Sequence, residues 1–267
     1  MCTNYRPPEA DLFEAFTGFP VPRFEYPRET YKDHVAPILR LSDGACTTVA
    51  ATFGMVPHKR ISPGVKVVDT MNGRAESVGE RRSYSGVWKK LQLCLIPCSA
   101  FYESDYETGK PVRWSIGMAS GPPFAIAALW RAWDEPNGGS SLSFTMLTVN
   151  ANEHALMKRF HRQGDEKRSV VMLRPEEYGD WLGSRSPDES RSFPKRARVP
   201  HRSRRASREG HPVKRIYSSL VSERMAGNPH KMMGSNLKSV LNSAGRLLVG
   251  RELKALCWIV ILVVVGS

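Results

Sequence analysis

Short apolar runs bounded by glycine and proline set the firmest limit on the fold. They fall at residues 47–53, 93–96, 112–116, 124–129, 144–148 and 169–173, each with the length of a strand rather than a helix. Turn signals separate them, as at Ser62-Pro63-Gly64, Gly121-Pro122-Pro123 and Pro136-Asn137-Gly138-Gly139. Helical signals are fewer. Asn152 is placed to cap a helix running to Phe160, Pro175 to open another ending at Trp181-Leu182, and residues 83–92 form a third segment. Strands outnumber helices without alternating with them, so the pattern predicts an α+β domain with mixed sheets rather than a doubly wound one.

The composition changes abruptly after Gly183. Residues 1–183 carry 22 Lys+Arg against 21 Asp+Glu, whereas residues 184–267 carry 17 against 5, so the +13 net charge belongs almost wholly to the tail. Whole-chain basicity therefore says little about what the front part binds. Three spans follow: a catalytic-type domain over 1–183, a Ser/Arg/Pro-rich linker over 184–235 whose composition suits disorder, and a weakly helical 236–267 with an apolar end. That end, residues 255–265, is eleven apolar residues long and falls short of the ~20 that span a bilayer. Five cysteines and a polar start without an apolar signal core lead us to expect a cytoplasmic, disulfide-free protein. Cys94 and Cys98 lie in an apolar stretch without histidines and read as core thiols, so no metal or cofactor is expected.

Cys2 directly follows Met1. Removal of Met1 would leave an amine and a thiol on neighbouring carbons, two nucleophiles that both titrate near pH 8. Such a pair condenses with an aldehyde to an imine and then closes to a five-membered thiazolidine. Position alone does not require this, because residue 2 also governs Met1 processing.

Three further segments accompany Cys2: Met71-Asn72-Gly73-Arg74-Ala75-Glu76, the stretch from Cys94 through Pro97 to Phe101-Tyr102-Glu103, and Phe160-His161 followed by Lys167-Arg168-Ser169-Val170-Val171. In this order the chain resembles the SOS response-associated peptidase family, whose members are also described as abasic-site processing proteins. Residues 124–133 and 175–182 extend the match. The resemblance implies a distorted barrel-like core of mainly antiparallel strands with flanking helices, plus an irregular basic tail. It also implies capture of abasic sites in single-stranded DNA as a thiazolidine crosslink, in a DNA-associated protein needing no obligate protein partner. Carried over by residue, Cys2 is the nucleophile, Asn72 holds the Cys2 segment, Glu103 moves protons and His161 serves as acid/base. Arg74, and more weakly Arg6, would meet DNA phosphate. Lys59, Arg60, Arg81 and Arg82 are lesser cationic choices, and Phe53, Trp88 and Trp130 either stack on bases or fill the core.

The same residues have plainer readings. Asn72-Gly73 is a turn pair, Glu103 a solvated carboxylate at a strand end, and His161 a helix C-terminal cap whose dipole end favours the imidazolium. Two other functions remain open at this point: a cysteine peptidase or amidohydrolase, including autocatalytic loss of Met1, and a nucleic-acid binder driven by the basic tail.

Overall fold

The structure, a computed structural model, describes residues 2–19, 21–118, 121–196 and 202–205. The expectations for residues 236–267, including the apolar run at 255–265, lie outside the described residues. In chain order the elements are β1 (Tyr5–Arg6), α1 (Ala10–Thr17), β2 (Val35–Ser42), β3 (Ala45–Phe53), β4 (Asn72–Arg74), α2 (Ser85–Lys89), β5 (Leu93–Cys98) and β6 (Ala100–Asp105). They continue with β7 (Val112–Gly117), β8 (Phe124–Asp134), β9 (Ser140–Asn150), β10 (Arg168–Val170), β11 (Met172–Leu173), α3 (Tyr178–Leu182), α4 (Pro187–Arg196) and β12 (Arg202–Arg205).

Five strands close a ring in the order β9-β3-β2-β5-β8, with β8 returning to pair β9. All its joints are antiparallel except β3–β9, which is parallel. A second sheet, β1-β6-β7-β12, extends from it, and β4 and β10 add to β9. This is the α+β barrel-like core that the sequence and the resemblance predict. Ring closure removes free edges at the price of bringing residues far apart in sequence together.

The strand composition follows from burial on both faces. In β5, Cys94, Ile96 and Cys98 point into the barrel cluster while Leu93 and Leu95 join the outer one. In β8, Ile126 and Ala128 face inward and Ala125, Ala127 and Leu129 outward. Both strands therefore read as continuous apolar runs. Cys94 and Cys98 are core thiols, and Phe53 and Trp88 are core side chains. The outer cluster is roofed by Phe13 of α1, Val87 and Trp88 of α2, Trp181 of α3 and Phe193 of α4. The Trp181 indole N–H donates to the Cys94 carbonyl at 2.9 Å, locking α3 to β5.

Three expectations change. The span from Asn152 to Phe160 makes turns and one short 3-10 turn, Met157–Arg159, because the His154 ring accepts from the Leu156 and Met157 amides at 3.1 and 3.0 Å and competes with helical bonding. The run at 169–173 is divided between β10 on β9 and β11 on β8. Order also continues past Gly183 into the span read as a linker. There α4 sets Phe193 edge-on to Trp181, with centroids 5.7 Å apart, and Arg191 donates to the Ala75 and Glu76 carbonyls at 3.1 and 3.0 Å. One aromatic side chain and one arginine fork outweigh a polar composition. Among the described residues, no helix is long and apolar enough to cross a membrane.

Candidate functional site

The second sheet brings the chain start to the site. Tyr5 pairs with Phe101 and Arg6 with Ala100, and the Tyr102 amide donates to the Asn4 carbonyl at 3.2 Å. Cys2 is carried two residues further along this edge and is buried, at 1% exposure. Its thiol donates to the Asn4 carbonyl at 3.2 Å, and its own carbonyl accepts from Asn72 Nδ2 at 2.7 Å.

Asn72 opens β4, whose parallel register with β9 sets Asn72 against Met146. Tyr84 donates to the Asn72 main-chain carbonyl at 3.2 Å, so the residue is held from both sides. Asn72 Oδ1 is buried and has no hydrogen-bond partner among the described residues. An acceptor left bare beside Cys2 is suited to a donor on an incoming group.

Glu103 sits mid-strand in β6 opposite Trp114, with its side chain 5% exposed. It is no solvated strand end. Burial pushes its carboxyl up to about 7, which keeps a proton available near neutrality. Its Oε2 lies 3.5 Å from His161 Nδ1.

His161 does not cap a helix. It occupies the left-handed region at φ 67°, and its amide donates to the Ser104 carbonyl at 3.0 Å. The preceding Phe160 bridges to Asp105, and Arg159 grips the Asp105 carboxylate at 3.1 and 2.6 Å. The His161 segment is thereby sewn to the strand that carries Glu103. With no helix dipole behind it, burial dominates and lowers the imidazole pKa, the reverse of the imidazolium that a helix end would favour. Nε2 lies 3.1 Å from the Arg168 carbonyl. A carbonyl only accepts, so this contact places a proton on Nε2 and turns the Nδ1 lone pair toward Glu103. The arrangement sets an imidazole nitrogen 3.5 Å from a carboxyl whose pKa burial raises to about 7.

Burial, and after it the charge of Glu103, push the Cys2 thiol up to about 12. The resting sulfur is therefore a neutral thiol that requires a base to react. Of the sequence-predicted residues, Cys2 is bonded to Asn72 and Glu103 lies against His161, and the charge of Glu103 is felt at the Cys2 thiol. The two arginines are placed differently. Arg74 ends β4, two residues from Asn72, half-exposed and ion-paired to Glu166 at 2.9 Å. Arg6 donates to the Tyr102 hydroxyl at 2.7 Å, next in sequence to Glu103. Among the described residues no group of His, Cys, Asp or Glu is arranged to hold a metal ion.

Sequence reasoning missed the supports. Tyr84 carried no signal. Arg168 is buried among Glu76, Glu166 and Thr148, each at 2.7–2.8 Å from its terminal nitrogens, and its carbonyl sets the His161 tautomer. Glu29 collects Asn4, Tyr31 and Arg113 at 3.1, 2.9 and 2.6 Å, and Arg113 lies 3.5 Å over the Tyr102 ring.

The ring of strands, with a buried cysteine near the chain start and a buried carboxyl-imidazole pair on the second sheet, defines a closed mixed-barrel protein. A family model described as SOS response associated peptidase (SRAP) matches residues 21–215, and the chain belongs to that family. The abasic site processing protein YoqW of Bacillus subtilis (strain 168) is 32% identical over 143 residues, 51% of this chain and 57% of that protein. The abasic site processing protein YobE of the same organism is 31% identical over 143 residues, covering 51% and 58%. The chain thus spans little more than half the length of these relatives. Among solved structures, a protein from Bordetella bronchiseptica superposes with a TM-score of 0.66 at 27% identity, covering 77% of this chain and all of that one. A protein from Bacteroides thetaiotaomicron shares the fold at a TM-score of 0.54 and 19% identity, over 72% of this chain and 86% of that one.

Proposed function

We propose that this protein captures abasic sites in single-stranded DNA by closing a thiazolidine on Cys2. The observation that supports the reading is a buried Cys2, anchored by Asn72 and within electrostatic reach of Glu103, which itself lies 3.5 Å from His161. Two relatives named as abasic site processing proteins support the substrate class.

The chemistry follows from the protonation states. Once Met1 is removed, the Cys2 amine adds to the aldehyde carbon of the opened sugar. The protonated Glu103 delivers its proton to the departing oxygen, which leaves as water as the imine forms. Glu103 is then a carboxylate beside a neutral thiol. It takes the thiol proton as sulfur adds to the protonated imine, which restores the acid form of Glu103, and the ring nitrogen keeps the proton it carried in the iminium. One water is released, one C–N and one C–S bond form, and no oxidant is needed. His161 Nδ1 holds or returns a proton between the two steps. Arg74 and Arg6 supply cationic contacts for the strand, and Glu166 yields Arg74 when phosphate arrives.

A cysteine hydrolase would need a thiolate. The buried, carboxyl-facing thiol works against one.

The test is incubation of the purified protein with oligonucleotides that do or do not contain one abasic site, together with intact mass measurement. Capture predicts a denaturation-resistant shifted band only with the lesion, a protein lacking Met1, and loss of the band in Cys2→Ala and Cys2→Ser. A stable band in Cys2→Ser, or equal labelling of intact DNA, would reject the reading.

A further inference from the structure

The parallel joint of the barrel is incomplete. β3 and β9 pair only at Thr52 with Ser143 and Phe53 with Phe144. Beside that joint, between the earlier parts of the two strands, lies a cavity of 450 Å³ that none of Cys2, Asn72, Glu103 or His161 lines. Its wall includes Arg40 and Lys59, the hydroxyl-bearing Thr52, Ser140 and Ser141, and apolar Leu142.

The charges there do not cancel. Arg40 projects from β2, its guanidinium 4.5 Å over the Trp130 ring, and its Nε is buried with no acceptor. No carboxylate pairs with Arg40 among the described residues. Lys59 and the neighbouring Arg60 share one carboxylate, Glu135, at 2.9 and 2.6 Å. Arg60 also reaches the Ser141 hydroxyl at 3.3 Å and the Asp134 carbonyl at 2.9 Å, and its Nε too is buried without a partner. The cavity lining thus holds two cations, Arg40 and Lys59, and no carboxylate, while Glu135 is divided between Lys59 and Arg60. A bare buried donor is destabilising until something accepts from it.

We infer that this seam is a binding site for a phosphate group, distinct from the Cys2 pocket. A planar guanidinium fixed on an aromatic ring, an ammonium and hydroxyls from two strands match the several acceptor oxygens of a tetrahedral oxyanion. A cavity of this size also admits the organic body that a phosphate ester carries. The phosphate is that of a DNA backbone or of a small phosphate ester, and the two sources are separable.

The full-length protein, isotopically labelled at arginine, is followed through the Arg40 Nε–Hε resonance, assigned by its loss in Arg40→Gln. It is titrated at constant ionic strength with inorganic phosphate, and separately with an undamaged single-stranded oligonucleotide lacking terminal phosphates. Saturable movement with inorganic phosphate marks a free-phosphate site, and movement with the oligonucleotide alone marks a backbone-phosphate site. Either supports the assignment when Ser140→Asp, an exposed change at the cavity wall, weakens the response about tenfold or more. The basic tail is identical in both proteins and cannot produce that difference. An Arg40 resonance that moves with neither ligand, or moves equally in Ser140→Asp, overturns it.

Discussion

Replacing Asn72 by alanine tests how far catalysis depends on anchoring the start of the chain. The substitution removes the 2.7 Å bond from Nδ2 to the Cys2 carbonyl and leaves that carbonyl buried. Strand β4 keeps its place, because Tyr84 holds the Asn72 main-chain oxygen and β9 holds the strand. The loss of a buried partner costs about 1–3 kcal/mol. If that energy holds Cys2 in its reactive position, single-turnover crosslinking slows by about 5- to 150-fold, at about 1.4 kcal/mol per decade. The assay is gel quantification of crosslink against time at saturating abasic oligonucleotide, with thermal unfolding measured in parallel. Crosslinking at the wild-type rate in Asn72→Ala, while Cys2→Ala is inert, would show that the anchor plays no part in the chemistry.

Other outcomes follow from the same geometry. Glu103 has a folded-state pKa raised to about 7 from 4.5, so the folded protein binds the extra proton and stability falls as pH rises between those values. Glu103→Gln removes that loss, giving a higher unfolding temperature at pH 8 than wild type together with slower crosslinking, measured by calorimetry and gel. Capture should also slow above pH 7 in the wild type as the carboxyl loses its proton, and a rate flat from pH 6 to 9 would contradict this role. Arg74→Ala should weaken oligonucleotide binding and reduce the slope of log K against log salt by about 1, since it removes one phosphate contact. Phe193→Ala should cost about 3–5 kcal/mol in chemical denaturation, because it empties the space against Trp181.

The sequence carried the strand runs of the barrel because β5 and β8 are buried on both faces and so stay apolar along their length. It did not reveal β2, whose Arg40 and proline interrupt the pattern, nor β4, only three residues long and held by pairing to β9. Four site residues were legible through motif order rather than through periodicity. Their environment was not. The plainer reading of Glu103 as a solvated carboxylate failed because its burial depends on the His161 segment folding against β6. His161 read as a helix cap because nothing local announces that the His154 ring diverts the amides of the preceding turn. The order in α4 was hidden for a related reason. Phe193 is a lone aromatic in an Arg/Ser/Pro context, and its value appears only when Trp181 is beside it.

Strand β9 joins β3, β4, β8 and β10 at once, and that has a consequence during synthesis. The side chain that holds Cys2 comes from residue 72, the neighbouring carboxyl-imidazole pair from residues 103 and 161, and β4 gains its footing only when β9 exists. An unfinished chain therefore carries Cys2 without the Asn72 anchor of the folded protein. On the mechanism proposed above, the end of the chain acquires its anchor only at ring closure, late in translation, and until then has the modest aldehyde reactivity of any free cysteine.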